Sequence, residues 1–459
     1  MRLNRLKTLL LALLLLLIAA PAAQAAQLFG FNDSWLPQDA WTTIGLTRQL
    51  GANSERYQIY WGSVEPLPGS FDWSQIDASY QMMLSQGIRP LFDVVSAPGW
   101  ATQPGCNDIF KCQQAPSHDG DFANFVRALT ARYPQAVGVE IGNEPNMNDW
   151  SIHPDPARYA QMLKAGYAAV KQANPGMPVI TGAVCCTNAH TGGSIPANQF
   201  LSQLYANGIK GHYDYLGFHL YPGGAVSRVA PDLRLEMDRM RAVRNAHGDS
   251  SLFWITETGF PSAGVSQYGG GVLTEDNQAQ KEAIDYRVIN SMPDVVALYF
   301  YRLTDPVSGG LGRAMGFYHS NLTPKPAVQA LLDARNAGPW PTYTVVASGP
   351  RRVGSAHFFK VSVSGAPPGA TFDWVIWRAP YWSHFPGGQP QQTARLRIWH
   401  PGTYLLAAEV STPFDTFLSA PIKVQVVLRL NGASGHQSGA GSGHHKNKKH
   451  HRRKHKKHH

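Results

Sequence analysis

The chain has 459 residues, of which 43% are hydrophobic and 11% aromatic, so it can bury large cores and form two or three domains of ordinary size. This composition excludes intrinsic disorder for most of its length. The formal net charge of +10 comes from the two ends: three basic residues stand near the start, eight Lys or Arg lie in the last 16 residues, and neither segment has an acidic residue. The body is close to neutral, so the charge does not indicate a nucleic-acid-binding groove on the folded part.

Residues 1–26 have the features of a secretory signal peptide. A basic start precedes a leucine-rich run from about Leu9 to Ala20, and the small-residue sequence Ala23-Gln24-Ala25 follows, which is the pattern of a cleavage site. The apolar run is short for a membrane anchor, which needs about 20 residues. We therefore expect cleavage, and a mature protein that is secreted, extracellular or associated with the cell surface.

Between Gln27 and about Pro339, strand and helix patterns alternate eight times. The intervening stretches show helical spacing, as in the apolar residues at positions 122, 125, 126 and 129. Eight such units over about 310 residues predict a (β/α)8 TIM barrel over residues 27–340. The predicted strands are Gln27–Phe31, Glu55–Trp61, Arg89–Val95, Val137–Asn143, Pro178–Ala183, Tyr215–Tyr221, Leu252–Glu257 and Val295–Arg302.

After a linker at Gly338–Pro341, residues 342–430 alternate apolar and polar positions, which predicts a small β-sandwich. Trp374 and the turn Pro401–Tyr404 resemble those of immunoglobulin-like or polycystic-kidney-disease-like accessory domains. Residues 431–459 are rich in Gly and Ser and then in His, Lys and Arg, so we expect a disordered tail. Two interpretations of this tail stay open: attachment to an anionic cell-surface polymer, or a charged tail in solvent.

The four cysteines could form two disulfides in an oxidising compartment, in any of three connectivities. Cys106 and Cys112 would close a short loop. Cys185 and Cys186 are adjacent, and either a sterically awkward vicinal bond or cross-pairing with the first loop is open to them. Their spacing is that of no zinc site.

Two glutamates stand at the ends of predicted barrel strands, where barrels place their chemistry. Glu144 follows the fourth strand and Glu257 ends the seventh, so they can face one another across the mouth of the barrel. Glycoside hydrolysis needs such a pair, one to protonate the departing oxygen and one to meet the anomeric carbon. Either glutamate alone could equally be a surface or salt-bridged residue.

The segments around these glutamates, Ile141–Asn146 (IGNEPN) and Trp254–Phe260 (WITETGF), resemble the two signatures of glycoside hydrolase clan A. Within that clan the chain is most similar to family 39, with family 5 next. The resemblance spans the whole barrel, and further stretches support it: Arg56, Trp61–Pro66, Phe71–Asp77, Ala97–Ala101, His219–Pro222 and Lys325–Ala327.

The resemblance implies a retaining mechanism without cofactor or metal, in which Glu144 is the acid/base and Glu257 the nucleophile. Asn143 would contact the sugar 2-hydroxyl, and three residues would orient Glu257 and the sugar: Arg56, His219 and Tyr221. A charged arginine beside the nucleophile keeps it ionised, whereas Glu144 must hold its proton longer to act as an acid.

Aromatic residues near the predicted strand ends are candidates for stacking on sugar rings. Trp61, Trp100 and Trp150 follow strand ends, and packing is the alternative role for each. Many clan members place a Trp at the end of strand eight, where this chain reads Tyr299-Phe300-Tyr301, so Tyr301 is a substitute candidate. We assign no role to Glu65 or Glu140.

The sequence thus favours a secreted retaining glycoside hydrolase that cleaves O-glycosidic bonds, of β configuration, in a polysaccharide or its oligosaccharides. We expect a monomer with a carbohydrate substrate and no specific nucleic acid partner. One alternative is a non-catalytic carbohydrate-binding or cell-wall-anchoring protein on a barrel scaffold. Another is a metal-dependent barrel hydrolase, for which the histidines would be His153, His190, His212 and His219, although no paired His motif stands at a strand end.

Overall fold

The computed structural model describes residues 28–32, 40–102, 106, 112–148, 153–187, 192–264, 272–307, 314–341, 343–378, 381–384, 391–412, 415–419 and 421–428. The predicted signal peptide, Trp150, His190 and the predicted tail lie outside these residues. The chain divides into two compact units after Thr344, with the later segments Gly365–Thr371 and Glu409–Leu418 grouped with the first unit.

The first unit contains a closed parallel sheet, in the order β5-β4-β3-β2-β1-β9-β8-β7-β6. A parallel bridge between Ile180 and Tyr215 closes the ring, and β5 and β6 are consecutive segments of one barrel strand. The predicted (β/α)8 barrel is therefore confirmed. The strands are β1 Leu28–Asn32, β2 Ser54–Tyr60, β3 Arg89–Val95, β4 Gly138–Ile141, β5 Val179–Thr181, β6 Val184–Cys185, β7 Leu216–His219, β8 Phe253–Thr258 and β9 Val295–Phe300.

Amphipathic helices surround the sheet. The apolar face predicted at positions 122, 125, 126 and 129 is buried, and α5 begins at a cap in which Asp155 accepts from the amides of Ala157 and Arg158. None of the described helices has both the length and the hydrophobicity to cross a membrane. The helices are α1 Ala40–Gln49, α2 Trp61–Val64, α3 Ser74–Ser85, α4 Asp119–Arg132, α5 Pro156–Ala173, α6 Ala197–Ala206, α7 Val229–Ala246, α8 Glu275–Ile289 and α9 Pro326–Ala337, with 3-10 turns at Pro116–His118 and Val226–Arg228.

The interior of the barrel has two layers. Apolar side chains fill its amino-terminal end, including Leu91, Ile180, Trp254 and Tyr299. Because strand side chains alternate between the two faces of a sheet, the next inward positions are two residues further along, and there the chain places Arg56, Asp93, Glu140 and Thr256, all buried. The strands thus carry a buried polar layer on top of an apolar base.

The second unit contains two β-sheets in which most strand pairs are antiparallel, as the alternating pattern predicts. One has the order β10-β12-β15, and the other β11-β18-β16-β13-β14 with β17 paired to β16. Trp374 is fully buried in this unit, and its indole N–H donates to the Gln391 carbonyl. The strands are β10 Val346–Ser348, β11 Arg352–Gly354, β12 Phe358–Ser364, β13 Thr371–Arg378, β14 Tyr381–His384, β15 Thr393–Arg397, β16 Gly402–Ser411, β17 Thr416–Leu418 and β18 Ile422–Val427.

Candidate active site

Arg56 on β2 organises the polar layer of the barrel. Its Nε donates to Glu140 at 2.7 Å, its Nη1 to Glu257 at 2.8 Å, and its Nη2 to Asp93 at 2.9 Å and to the Asn143 Oδ1 at 2.7 Å. Burial opposes the charge of this side chain, but the surrounding carboxylates raise the pKa of Arg56 above its usual range. Arg56 is therefore always charged, and the hydrogen bonds of its planar guanidinium group fix the positions of the side chains around it.

Glu257, near the end of β8, receives hydrogen bonds on both of its carboxylate oxygens. Arg56 and the Asn32 amide donate to Oε1, at 2.8 and 2.9 Å, and the Tyr221 hydroxyl donates to Oε2 at 2.7 Å. These bonds fix the orientation of the carboxylate plane. The pairings of β8 with β7 and with β9 shift register at this point, and such irregularities re-aim side chains beside active sites. This places Glu257 in the site although Thr256 already points inward.

Glu144 lies beyond β4 in a left-handed conformation, with a φ of 42°. Side chains other than glycine pay a steric penalty of about 1 kcal/mol or more there. Two backbone bonds hold it, from the Glu144 N–H to the Ala183 carbonyl and from the Met147 N–H to the Glu144 carbonyl. A Cβ on Gly182 would lie 2.4 Å from the Gly142 oxygen, so the close approach of the β4 and β5 ends beside Glu144 requires glycine.

His219, at the end of β7, lies between the two glutamates. Its Nδ1 is 2.8 Å from Glu144 Oε1 and 3.5 Å from Glu257 Oε2, so it is closer to the predicted acid/base than to the nucleophile. Burial lowers the pKa of His219 to about 4. The imidazole is therefore neutral near pH 7, and the tautomer that bonds an acceptor here carries its proton on Nδ1.

A carboxylate oxygen of Glu144 and one of Glu257 lie within 4.8 Å of each other and of a His219 nitrogen. Among the described residues this is the group whose ligand atoms converge closely enough for a cation. A metal ion there would also lie beside the Arg56 guanidinium, whose like charge repels it. His212 precedes β7, at the opposite end of the barrel, so it does not converge with His219 at this site.

Other residues complete the polar layer. Burial raises the pKa of Asp93 to about 7, although Arg56 opposes the shift. Gln58 donates to Asp93 and accepts from the Tyr60 hydroxyl. Because Arg56 donates to Asn143 Oδ1, the amide nitrogen of Asn143 is the group left to donate to a sugar.

The chain shares its fold with several solved structures of glycoside hydrolases. One is a family 39 glycoside hydrolase from the gut symbiont Bacteroides cellulosilyticus WH2, with 18% identity over 81% of this chain and 79% of that chain and a TM-score of 0.54. A family 39 β-xylosidase from Caulobacter crescentus has 18% identity over 78% and 84%, with a TM-score of 0.52. A GH5_18 protein from Streptomyces cattleya in complex with GlcNAc has 16% identity over 72% and 85%, with a TM-score of 0.53.

The family model of cellulase (glycosyl hydrolase family 5) matches residues 19–228, the part of the chain that includes β1 to β7 and Glu144. The family match and the shared fold support a clan A glycoside hydrolase. No curated protein matches the chain. The predicted resemblance to clan A is thus confirmed.

The structure corrects the prediction that one of the tryptophans stacks on a sugar ring. Trp61 is only 1% exposed and packs against Trp100 and Phe125, while its indole N–H donates to Glu65. It therefore presents no face to a sugar, and Glu65, left without a role from sequence, is its buried partner. Trp100 and Tyr301 are half-buried and remain candidates, whereas Trp150 lies outside the described residues.

Sequence reasoning missed three members of the site: Asn32, Asp93 and Glu140. Glu140, to which we assigned no role, accepts from Arg56, from the Ala183 amide and from the Thr256 hydroxyl. The signal that could find these residues is a polar or charged side chain at an inward position of an apolar strand, because such a group is costly to bury without partners.

The cysteines of the hydrolase pair locally. Cys106 bonds to Cys112, and Cys185 to Cys186, so cross-pairing is excluded. The vicinal pair lies at the end of β6, where Cys185 exchanges hydrogen bonds with Asn146: the Asn146 amide donates to the Cys185 carbonyl, and the Cys185 N–H donates to Asn146 Oδ1. Asn146 belongs to the loop of Glu144, so this contact connects the loops after β4 and β6.

Two buried carboxyl groups on α8, those of Glu282 and Asp285, lie beside the end of β8. The Thr258 hydroxyl lies 2.7 Å from the Leu220 carbonyl and 2.6 Å from Asp285 Oδ2. A single hydroxyl proton is shared poorly between two acceptors, whereas a protonated Asp285 would itself donate to Thr258 and leave the Thr258 proton for Leu220. Burial raises the pKa of Asp285 to about 8, in agreement with this proton count. Burial and the neighbouring Asp285 also raise the pKa of Glu282 well above its usual range.

Proposed function

We propose that this clan A hydrolase is exported and cleaves β-linked O-glycosidic bonds of a polysaccharide or its oligosaccharides with retention of anomeric configuration. The observation that carries the proposal is the close approach of the two carboxylates, since one oxygen of Glu144 and one of Glu257 lie within 4.8 Å of each other. Retaining enzymes hold their two carboxyl groups about 5 to 5.5 Å apart, whereas inverting enzymes leave about 6.5 to 9.5 Å for a water molecule.

In the first step Glu257 attacks the anomeric carbon and forms a glycosyl ester. The three donors on its carboxylate support this role, because they bind both oxygens and fix the plane of the group. Oε1 takes Arg56 and Asn32, while Oε2 is the oxygen nearer His219, so Oε2 is the better placed nucleophile. Tyr221 orients this oxygen.

Glu144 acts as the acid and then as the base. Its proton passes to the departing glycosidic oxygen as the ester forms, and the resulting carboxylate takes a proton from the water that hydrolyses the ester. The neutral His219 supports both states, since its Nδ1–H can donate to Glu144 Oε1 without supplying a competing positive charge. Asn143 binds the sugar 2-hydroxyl through its amide N–H group.

Substitutions at two positions, Glu257 and Glu144, test the assignment. Glu257→Gln is expected to abolish turnover of every substrate, since no glycosyl ester can form. Glu144→Gln should lose most activity on substrates with poor leaving groups and much less on activated aryl glycosides, whose leaving group needs no proton. Azide should rescue Glu144→Ala with a β-glycosyl azide as product. Glu275→Gln, at the half-buried start of α8, is the matched control and should keep full activity.

Proton NMR of the first-formed sugar decides the stereochemistry, with a panel of xylan, glucan, mannan and bacterial exopolysaccharides as substrates. An inverted anomer, or an active Glu257→Gln variant, would refute the assignment. Binding of sugars by the wild-type chain with no hydrolysis of any substrate would instead support a carbohydrate-binding protein. Amino-terminal sequencing of protein recovered outside the cell tests export, with a start near residue 27 expected.

A further inference from the structure

The outer face of the β10-β12-β15 sheet in the second unit carries an unusual set of side chains. The antiparallel register pairs Phe358 with Arg397 and Lys360 with Arg395, and alternation directs these four side chains away from the core. Trp399 follows two residues after β15. We call these five residues the cationic face: Phe358, Lys360, Arg395, Arg397 and Trp399.

The aromatic and basic side chains of the cationic face stack alternately. The Arg397 guanidinium carbon lies 4.1 Å from the ring centroid of Trp399 and 4.6 Å from that of Phe358, and Arg395 lies 5.4 Å from the Phe358 ring. Both rings are exposed, Trp399 by 59% and Phe358 by 56%. Stacking of this kind occupies the flat faces of a guanidinium and leaves its N–H edge free for an acceptor in the same plane.

Within the part of the second unit that the structure describes, no acidic residue forms a salt bridge with these cations. Strands β10, β12 and β15 contain no Asp or Glu, and among the described residues Lys360, Arg395 and Arg397 form no salt bridge. The neighbouring outward positions are hydroxyl residues, Ser348, Ser362 and Thr393. The face therefore combines unpaired positive charge, ring surfaces and small polar groups in one place.

We propose that the cationic face binds an acidic polysaccharide chain. Carboxylates of uronic acid units pair with the N–H edges of Arg395 and Arg397, which arginine does in two-pronged fashion. The apolar faces of the sugar rings pack on Phe358 and Trp399. The choice of a polysaccharide over other polyanions rests on the proposed function, because the same chain carries a glycoside hydrolase barrel, and a neutral polymer would leave the three cations unused.

The test measures binding of the full chain carrying Glu257→Gln, so that hydrolysis cannot consume the probe. The probes are polygalacturonate and the same polymer after chemical reduction of its carboxylates. The double variant Arg395→Gln/Arg397→Gln should weaken binding of polygalacturonate by at least about tenfold, and Trp399→Ala should weaken it without any change in charge. The carboxyl-reduced polymer should bind much more weakly to the unsubstituted face.

The matched control is Arg351→Gln/Arg352→Gln, which removes the same charge from exposed positions of the same unit. It should change binding by less than about threefold. Equal losses in the two double variants would overturn the proposal, because they would indicate general attraction between opposite charges. DNA or anionic lipid vesicles that bind as tightly as polygalacturonate, or binding that is unchanged by Trp399→Ala, would also overturn it.

Because every binding arm uses the chain that cannot turn over substrate, this outcome is independent of catalysis. Activity of the Arg395→Gln/Arg397→Gln variant with an intact Glu257, on a soluble aryl glycoside, should equal that of the parent. Loss of binding with full activity would support the proposed site. Absent hydrolysis in the parent would refute the proposed function while leaving the binding result standing.

Discussion

Arg56 contacts three buried carboxyl groups, so the site holds more acids than this cation can neutralise. Partial protonation reduces this excess of negative charge. Burial raises the pKa of Asp93 to about 7, so Asp93 is partly protonated near neutral pH. Glu257 accepts from Arg56, Asn32 and Tyr221, and it is the member of this group whose carboxylate also lies beside Glu144 and His219. At the scale of single residues, the distribution of donors separates the carboxyl groups by role.

The same proton counting gives a prediction for Asp285. Its pKa is about 8 in the folded state and about 3.9 in the unfolded chain. Between these values the folded state binds one proton that the unfolded state releases, so the free energy of unfolding falls as the pH rises, by up to about 1.4 kcal/mol per pH unit. Asp285→Asn cannot ionise and can still donate to Thr258. Its melting temperature relative to wild type should therefore increase from pH 4 to pH 8.

Thermal unfolding at several pH values checks this prediction, with Asp333→Asn as the control because Asp333 is exposed on α9. His219 has the opposite effect on the free energy of unfolding. Because its pKa is lowered in the folded state, the unfolded chain takes up this proton first, and stability falls as the pH falls below about 6.5. This effect is common to all the variants, so it cancels from the difference. A constant difference across the pH range would show that Asp285 is not protonated in the folded protein.

At the scale of elements, periodicity predicts the eight strands and the strand-end positions of both glutamates. It could not predict which inward residues meet. In the register of β2 and β3, Arg56 is paired with Leu91, yet its side chain bonds Asp93 and Glu140. The reason is that the strands of a barrel are tilted and staggered relative to one another. Nor could it predict the register shift in β8 that directs Glu257 inward, because this depends on pairing with two neighbouring strands. The prediction for Trp61 was wrong for a similar reason, because a position near a strand end does not reveal which way the side chain points.

The contact between the loops after β4 and β6 predicts an effect specific to the acid step. Asn146 is fully buried, and its amide donates to the carbonyls of Cys185 and Ile195. Asn146→Ala removes these bonds and leaves buried carbonyls unpaired, at a cost of about 1 to 3 kcal/mol each before relaxation. Glu144 should lose its position more than Glu257 does. We therefore expect kcat/KM to fall more for a glycoside with a poor leaving group than for an activated aryl glycoside.

Asn148→Ala is the matched control, since Asn148 bonds the segment Gly192–Ser194 further from Glu144. It should affect both substrates slightly and equally. A uniform loss on both substrates in Asn146→Ala would show that the loop contact supports the fold and not the position of the acid.

At the scale of the whole molecule, charge and catalysis are separated along the chain. The barrel contains the proposed catalytic pair and has more acidic than basic residues, whereas the second unit has more basic than acidic residues and the last 16 positions of the sequence are rich in Lys, Arg and His. Composition alone predicts this division between the body and the tail. It could not predict the cationic face, because Phe358 and Arg397 are distant in sequence and meet only through the register of β12 and β15.

This separation predicts that a chain of residues 27–344 folds and hydrolyses soluble oligosaccharides. The barrel closes its own sheet and has a continuous apolar core of residues from its strands and helices, and the proposed catalytic groups all lie within it. The kcat/KM on a soluble substrate should therefore stay within about threefold of the full chain, while activity on an insoluble acidic polymer falls. A folded but inactive barrel, by circular dichroism and assay, would show that Gly365–Thr371 or Glu409–Leu418, which group with the barrel, support the site. Restoring the chain to residue 430 should then recover activity without the basic tail.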